Sequence, residues 1–214
     1  MVWSARFLVS LAGALLCPVA LAQQARLVML GDSITLGWRV WGNLAQQAPR
    51  ALDEGVSGNT SKMMLARLDA DVLAHHPQVV VLLAGTNDTD IAAFENVSVD
   101  FSYMREIIER CGAAGARLIV GTIPPAPQVK WNEYALRWNA EVRLESKVYG
   151  YEVADYYPLF FVDGKKDDAL FEGDLIHPST AGFARMWTVL EPLLSQLLVG
   201  RPPRGGRRLD VIPP

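Results

Sequence analysis

Ser33, Gly58, Asn87, Asp174 and His177 are the residues whose types and placement suit a single reaction. A serine hydroxyl is a weak nucleophile at neutral pH and needs a base beside it. Of the three histidines, His177 is the sensible base. His75 and His76 fall at the end of an expected helix, just before Pro77, at the opposite rim of the fold. Asp174, three residues before His177, can accept a hydrogen bond from one imidazole nitrogen. That bond fixes the tautomer and leaves the other nitrogen free for the serine proton. Acyl transfer from an ester puts negative charge on the former carbonyl oxygen. The N–H groups of Ser33 and Gly58 and the side-chain amide of Asn87 are suitable donors to it, each contributing about 3 kcal/mol when preorganised. Gly58, lacking a side chain, lets its N–H come close. Taken singly, each residue also has a plain structural reading: Ser33 as a helix cap, Gly58 as a turn glycine, Asn87 as a turn cap, Asp-x-x-His as a loop.

Their weight comes from the elements that must carry them. Five segments read as strands: Leu27–Leu30, Ala51–Glu54, Gln78–Ala84, Arg117–Ile123 and Tyr151–Asp155. The third contains Val-Val-Val-Leu-Leu, a continuous apolar run expected of a strand covered on both faces. Helical segments lie between them. Thr60 to His75 puts Met64, Leu65, Leu68 and Val72 on one face, capped by Asn59 or Thr60. Asp100 to Cys111 groups Phe101, Met104, Ile108 and Cys111, and Gly112 is placed to end it. Trp131 to Val148 follows, and Ser179 to Leu198 carries Phe183, Met186, Trp187, Leu190, Leu194 and Leu197. This alternation predicts a three-layer α/β/α domain with a mostly parallel five-stranded sheet. In such sheets ligand sites form beyond the carboxyl ends of the strands. Ser33, Gly58 and Asn87 follow the first three strands, and Asp174 and His177 lie between the fifth strand and the last helix. Four distant segments therefore converge on one rim. Trp38, Trp41, Tyr156, Tyr157, Phe160 and Phe161 are expected on loops near it, either shaping a pocket or packing beneath long loops.

The chain has 214 residues, half of them hydrophobic, which suits one domain. The net charge of −3 lacks a basic footprint for nucleic acid. Residues 1–22 read as a secretory signal peptide: Arg6, an apolar Phe7-to-Leu16 stretch too short to span a bilayer, then Ala20-Leu21-Ala22. The expected product is secreted or periplasmic, with no stable membrane insertion after cleavage. Residues 23–198 form the domain, and residues 199–214, rich in Pro, Gly and Arg, read as a disordered tail. After cleavage Cys111 is the remaining cysteine and reads as a buried small hydrophobe. Several other chemistries find no support. Gly55-Val56-Ser57-Gly58-Asn59 fails the last position of a Gly-x-Ser-x-Gly elbow. No Gly-rich loop with a following Lys cradles phosphate. The adjacent His75 and His76 lack carboxylate partners at a ligand spacing, so neither metal nor cofactor is expected.

Together these residues resemble the GDSL, or SGNH, hydrolase family. Gly31-Asp32-Ser33-Ile34 resembles its first block, Gly55-Val56-Ser57-Gly58-Asn59-Thr60 its second, Gly85-Thr86-Asn87-Asp88 its third and Asp174-Leu175-Ile176-His177-Pro178 its last. The resemblance runs from about Arg26 to Leu198. It implies a flavodoxin-like strand order, a Ser33–His177–Asp174 triad, and an oxyanion hole from Ser33, Gly58 and Asn87. Where the usual family loop reads Asp-Gly-Leu-His, this chain has Leu175 and Ile176. The implied activity is serine esterase chemistry on a small-molecule, lipid or carbohydrate ester, closest to small single-domain acyl hydrolases such as esterases, lysophospholipases and thioesterases. A carbohydrate O-deacetylase shares the same motifs. A non-catalytic envelope-binding domain would not require all five positions intact.

Overall fold

The computed structural model describes residues 27–199. The expected signal peptide and the Arg-rich tail lie outside the described residues, apart from Val199. In chain order the elements are β1 Leu27–Gly31, α1 Ser33–Val40, α2 Leu44–Gln47, β2 Ala51–Gly55, α3 Ser61–Asp71, β3 Val79–Leu83, α4 Thr86–Glu95, α5 Ser102–Ala113, β4 Arg117–Gly121, α6 Val129–Tyr149, β5 Glu152–Ala154, β6 Phe161–Val162, β7 Lys165–Lys166 and α7 Thr180–Val199. β1 to β5 make one parallel sheet in the order β2-β1-β3-β4-β5, the flavodoxin-like arrangement. β6 and β7 form a small antiparallel hairpin.

The apolar runs account for the sheet. Every residue of β1 and β3 is buried. Each fully buried Val or Leu side chain contributes roughly 1.5–3 kcal/mol. Helices cover both faces. On one, Trp38 of α1 meets Phe183 and Trp187 of α7 edge-on, with centroids at 4.9 and 5.9 Å. On the other, α3, α5 and α6 lie side by side. Phe101 sits against Trp138 at 4.7 Å, and Arg105 pairs with Glu145 at 2.7 Å.

Several expectations need correction. Trp38, Tyr156 and Phe160 are core residues, 1%, 1% and 0% exposed, and do not line the rim. Trp41 is exposed, while Tyr157 and Phe161 pack on each other at 5.3 Å. α5 runs through Gly112 to Ala113, and the left-handed turn falls at Gly115. The first long helix is shorter than expected: after Asp71 the chain tightens into a 3-10 turn, Leu73–His75. Cys111, by contrast, is buried as expected, and burial pushes its thiol up to about 12.

Register sets the site. Gly31, Gly55 and Leu83 lie level at the carboxyl ends of β1, β2 and β3. Ser33, Gly58 and Asn87 follow two, three and four residues later, on the same rim.

Candidate active site

Asp32 caps α1: its Oδ1 accepts the Ile34 N–H at 2.9 Å. Ser33 is therefore the first helical residue rather than the cap, and its hydroxyl is left for other work. The helix N-terminus also favours negative charge at that point. Ser33 Oγ lies 2.8 Å from His177 Nε2, and His177 Nδ1 lies 2.6 Å from Asp174 Oδ2. Ser33 and His177 are 144 residues apart in sequence. Asp174 is anchored in turn, since its Oδ1 accepts the N–H groups of Ile176 and His177 at 2.8 and 3.0 Å. Partial burial raises its pKa, but bonds from the His177 ring and these two N–H groups outweigh that and bring it down to about 2. It is a carboxylate at any neutral pH.

Leu175, where the usual family loop has glycine, sits at a left-handed φ of 60°. That conformation costs an L-residue roughly 1–2 kcal/mol. The turn is held nonetheless. Leu175 packs against the main core, its N–H bonds Glu172 O at 2.9 Å, and its carbonyl accepts Lys166 Nζ at 3.2 Å.

Gly58 has a φ of 77° with nothing near its Cα where a side chain would stand. Among the described residues, no protein acceptor takes the N–H of Gly58 or of Ser33. Asn87 is the second residue of α4, and its Nδ2 donates to Asn59 O at 3.0 Å. One of its two amide hydrogens thus fixes the side chain on the loop that carries Gly58, and the other remains for a ligand.

Two residues to which sequence reasoning gave no role hold this rim in place. Asp88 accepts the Ser61 N–H at 3.0 Å and the Ser61 hydroxyl at 2.5 Å, tying the start of α3 to α4. Burial raises the Asp88 pKa against the pull of those donors. Arg67, from α3, reaches back beneath the strand ends. Its Nε donates to Asn59 Oδ1 at 2.8 Å and its Nη1 to Asp71 at 2.7 Å. Its Nη2 donates to Gly31 O at 2.9 Å and Glu54 O at 2.8 Å. One planar fork therefore joins the turn before Ser33 to the Gly58 loop. An arginine on the polar side of an otherwise ordinary helix carries no sequence signal of that reach.

Asp32 itself is 0% exposed. Its Oδ2 and the Thr86 hydroxyl are both buried outside hydrogen-bond geometry. Burial pushes its carboxyl up to about 6, against lowering influences from the Ile34 N–H, Thr86 and His177. Gly85, at φ 120°, brings the chain close to Trp138; a Cβ there would stand 2.2 Å from Trp138 Nε1.

Among the described residues, no three His, Cys, Asp or Glu side chains gather as a metal site, and no helix is long and apolar enough to cross a membrane. A cavity of about 360 Å³ lies where β1 and β2 begin, between α2 and α7, at the end of the sheet away from Ser33. Ser33, His177 and Asp174 are joined by hydrogen bonds, and Gly58 and Asn87 follow the neighbouring strand ends on the same rim.

The sequence profile of the GDSL-like lipase/acylhydrolase family matches residues 29–185. Esterase TesA of Pseudomonas aeruginosa is 29% identical over 201 residues, spanning 82% of this chain and 94% of that protein. A GDSL-like lipase from Bacteroides thetaiotaomicron has a TM-score of 0.65 at 24% identity, over 82% of this chain and 88% of its own. A catalytic mutant of the acetylxylan esterase Axe2 from Geobacillus stearothermophilus gives 0.61 at 19% identity, over 84% and 96%. Both structures share the fold.

Proposed function

Because this chain belongs to the GDSL-like lipase/acylhydrolase family, we propose that it is an exported serine esterase acting through an acyl-enzyme. The observation that carries the reading is the continuous bonding from Ser33 Oγ through the His177 ring to Asp174, at 2.8 and 2.6 Å. Ser33 Oγ attacks the ester carbonyl while its proton passes to His177 Nε2. The resulting oxyanion accepts hydrogen bonds from the N–H groups of Ser33 and Gly58 and from Asn87 Nδ2. His177 Nε2 then gives the proton to the departing alcohol, leaving the acyl group on Ser33. Water, deprotonated by the same nitrogen, attacks that acyl-enzyme and frees the acid. Asp174 stays ionised throughout, holds the Nδ1–H and stabilises the imidazolium. Export rests on residues 1–22 with the Ala20-Leu21-Ala22 cleavage pattern. A carbohydrate O-deacetylase would use the same groups and differ only in the alcohol released.

The test is hydrolysis of p-nitrophenyl acetate by wild type, Ser33→Ala and His177→Ala. Each substitution should lower kcat by about 10⁴-fold or more with the fold intact. Unchanged turnover in Ser33→Ala refutes the mechanism, and a His177→Ala defect confined to KM refutes the base.

A further inference from the structure

The solvent face of α6 is apolar along most of its length. A surface helix ordinarily turns charged and polar side chains outward, and α5 does so with Ser102, Glu106 and Glu109. On α6, Leu136, Ala140, Leu144 and Val148 follow one another at intervals of four residues, and all four are exposed. Leu136 is 43% exposed, Leu144 56% and Val148 68%. Val129, at the start of the helix, is 80% exposed. The inward face is separately occupied, with Trp138, Asn139 and Val142 buried in the core. Residues four apart form one ridge on a helix. At 1.5 Å per residue this ridge runs about 18 Å from Leu136 to Val148. A contiguous exposed apolar strip of this kind marks an interaction surface.

The charges on the same face identify what covers it. Glu133 and Lys147 project within about 20° of Ala140 around the helix axis, at 100° per residue. Both are exposed, and among the described residues neither makes a hydrogen bond or ion pair. The arginines that flank the ridge are already engaged. Arg143 pairs with Asp155 at 2.8 Å, and Arg137 lies over the Tyr134 ring at 5.2 Å. The pattern is symmetric about Ala140: Leu136 and Leu144 stand four residues to either side, and Glu133 and Lys147 seven.

We propose that α6 packs antiparallel against the α6 of a second copy of this chain, with the two Ala140 residues at the crossing. In a two-fold pair the same patch serves both copies, so every contact occurs twice. Centred on Ala140, Leu136 of each copy meets Leu144 of the other, and Glu133 of each meets Lys147 of the other. A parallel pair would set Glu133 against Glu133 and Lys147 against Lys147, and opposed like charges are costly. Neither a lipid surface nor an unrelated protein accounts for opposite charges set at equal distances from a small central residue. The methyl group of Ala140 lets the helix axes approach to about 8 Å, the short end of the usual range. One helix pair buries less than the roughly 1,600 Å² of a standard interface, so the dimer is weak, with a Kd on the order of 10 μM.

The experiment is sedimentation equilibrium between about 1 and 500 μM, on the chain from residue 23 onward, the form expected after cleavage. Wild type should show a monomer–dimer equilibrium. Leu144→Asp puts a carboxylate into the apolar contact twice per dimer and should raise Kd by about 100-fold or more. Glu133→Lys and Lys147→Glu should each raise Kd about tenfold, and the two together should return it to within about threefold of wild type. All three positions are exposed, and a thermal midpoint within about two degrees of wild type verifies the fold of each variant. A chain that stays monomeric throughout the range overturns the proposal, whether or not it sediments with phosphatidylcholine vesicles. So does a dimer that Leu144→Asp leaves intact, or one whose Kd the single charge reversals leave unchanged or the paired exchange fails to restore.

Discussion

Replacing Asp32 with asparagine should stabilise the fold at neutral pH while leaving it unchanged in acid. The carboxyl is wholly buried, and burial moves it from an ordinary 3.8 up to about 6. Asp88 raises it further, while the Ile34 N–H, Thr86 and His177 pull the other way. Below the ordinary 3.8 the group is protonated both folded and unfolded, and the burial has no effect on stability. Between there and about 6, the unfolded chain gives up the proton and the folded chain keeps it, so stability falls as pH rises. Above that window the full penalty is present, on the order of 3 kcal/mol for a displacement of this size. Asparagine caps helices about as well as aspartate. Its amide can donate to Thr86 Oγ1, which neighbours the buried carboxyl. The variant should therefore gain roughly 1–3 kcal/mol at pH 8 and nothing near pH 3.5. Urea unfolding of both proteins across that range measures it. Asp53, whose burial also raises it, contributes equally to both proteins and cancels in the difference. A difference flat with pH, or an asparagine variant weaker at pH 8, would refute the reasoning.

Arg67→Lys should lower kcat by roughly 10- to 100-fold with a much smaller change in KM, because the Gly58 loop and the turn before Ser33 lose their common anchor. The same variant should lose about 2–4 kcal/mol in urea melts, since a single ammonium nitrogen cannot stand at both the Nε position facing Asn59 and the Nη2 position facing Gly31 and Glu54; wild-type kcat would show that the fork is not needed for geometry. Gly85→Ala should cost more than about 4 kcal/mol or leave no soluble protein, combining the φ of 120° with a 2.2 Å clash against Trp138. A thermal midpoint within two degrees of wild type, about 1 kcal/mol or less, would contradict that packing.

Much of the fold could be read from the chain because its signals are local. The Val79–Leu83 run marks a strand buried on both faces whatever surrounds it, and the stripe from Phe183 to Leu197 marks a helix lying on a core. β1, β3 and β4 show as such runs; the short β2 and β5 do not and are read from the alternation of strands with helices, and the strand order comes from the family resemblance. α4 could not be read this way. Its inward residues are Thr86, Thr89, Ala92 and Ala93, too small and too polar to make a stripe. What makes it a helix is packing against α6, with Trp131 bonded to Thr89. Trp38 and Tyr156 were misplaced for the reverse reason: an aromatic next to a motif gives no indication of which way the backbone turns it.

The sequence by itself determined which groups are available and that their strands end on one side, because residue type sets chemistry and apolar periodicity sets burial. Only the tertiary structure decided that Ser33 Oγ and His177 Nε2 stand 2.8 Å apart. It also decided that Arg67 links two loops from beneath. Each of these depends on side chains from separate elements meeting to within an ångström. Such distances are set by the summed packing of the whole core, which no local stretch of sequence encodes.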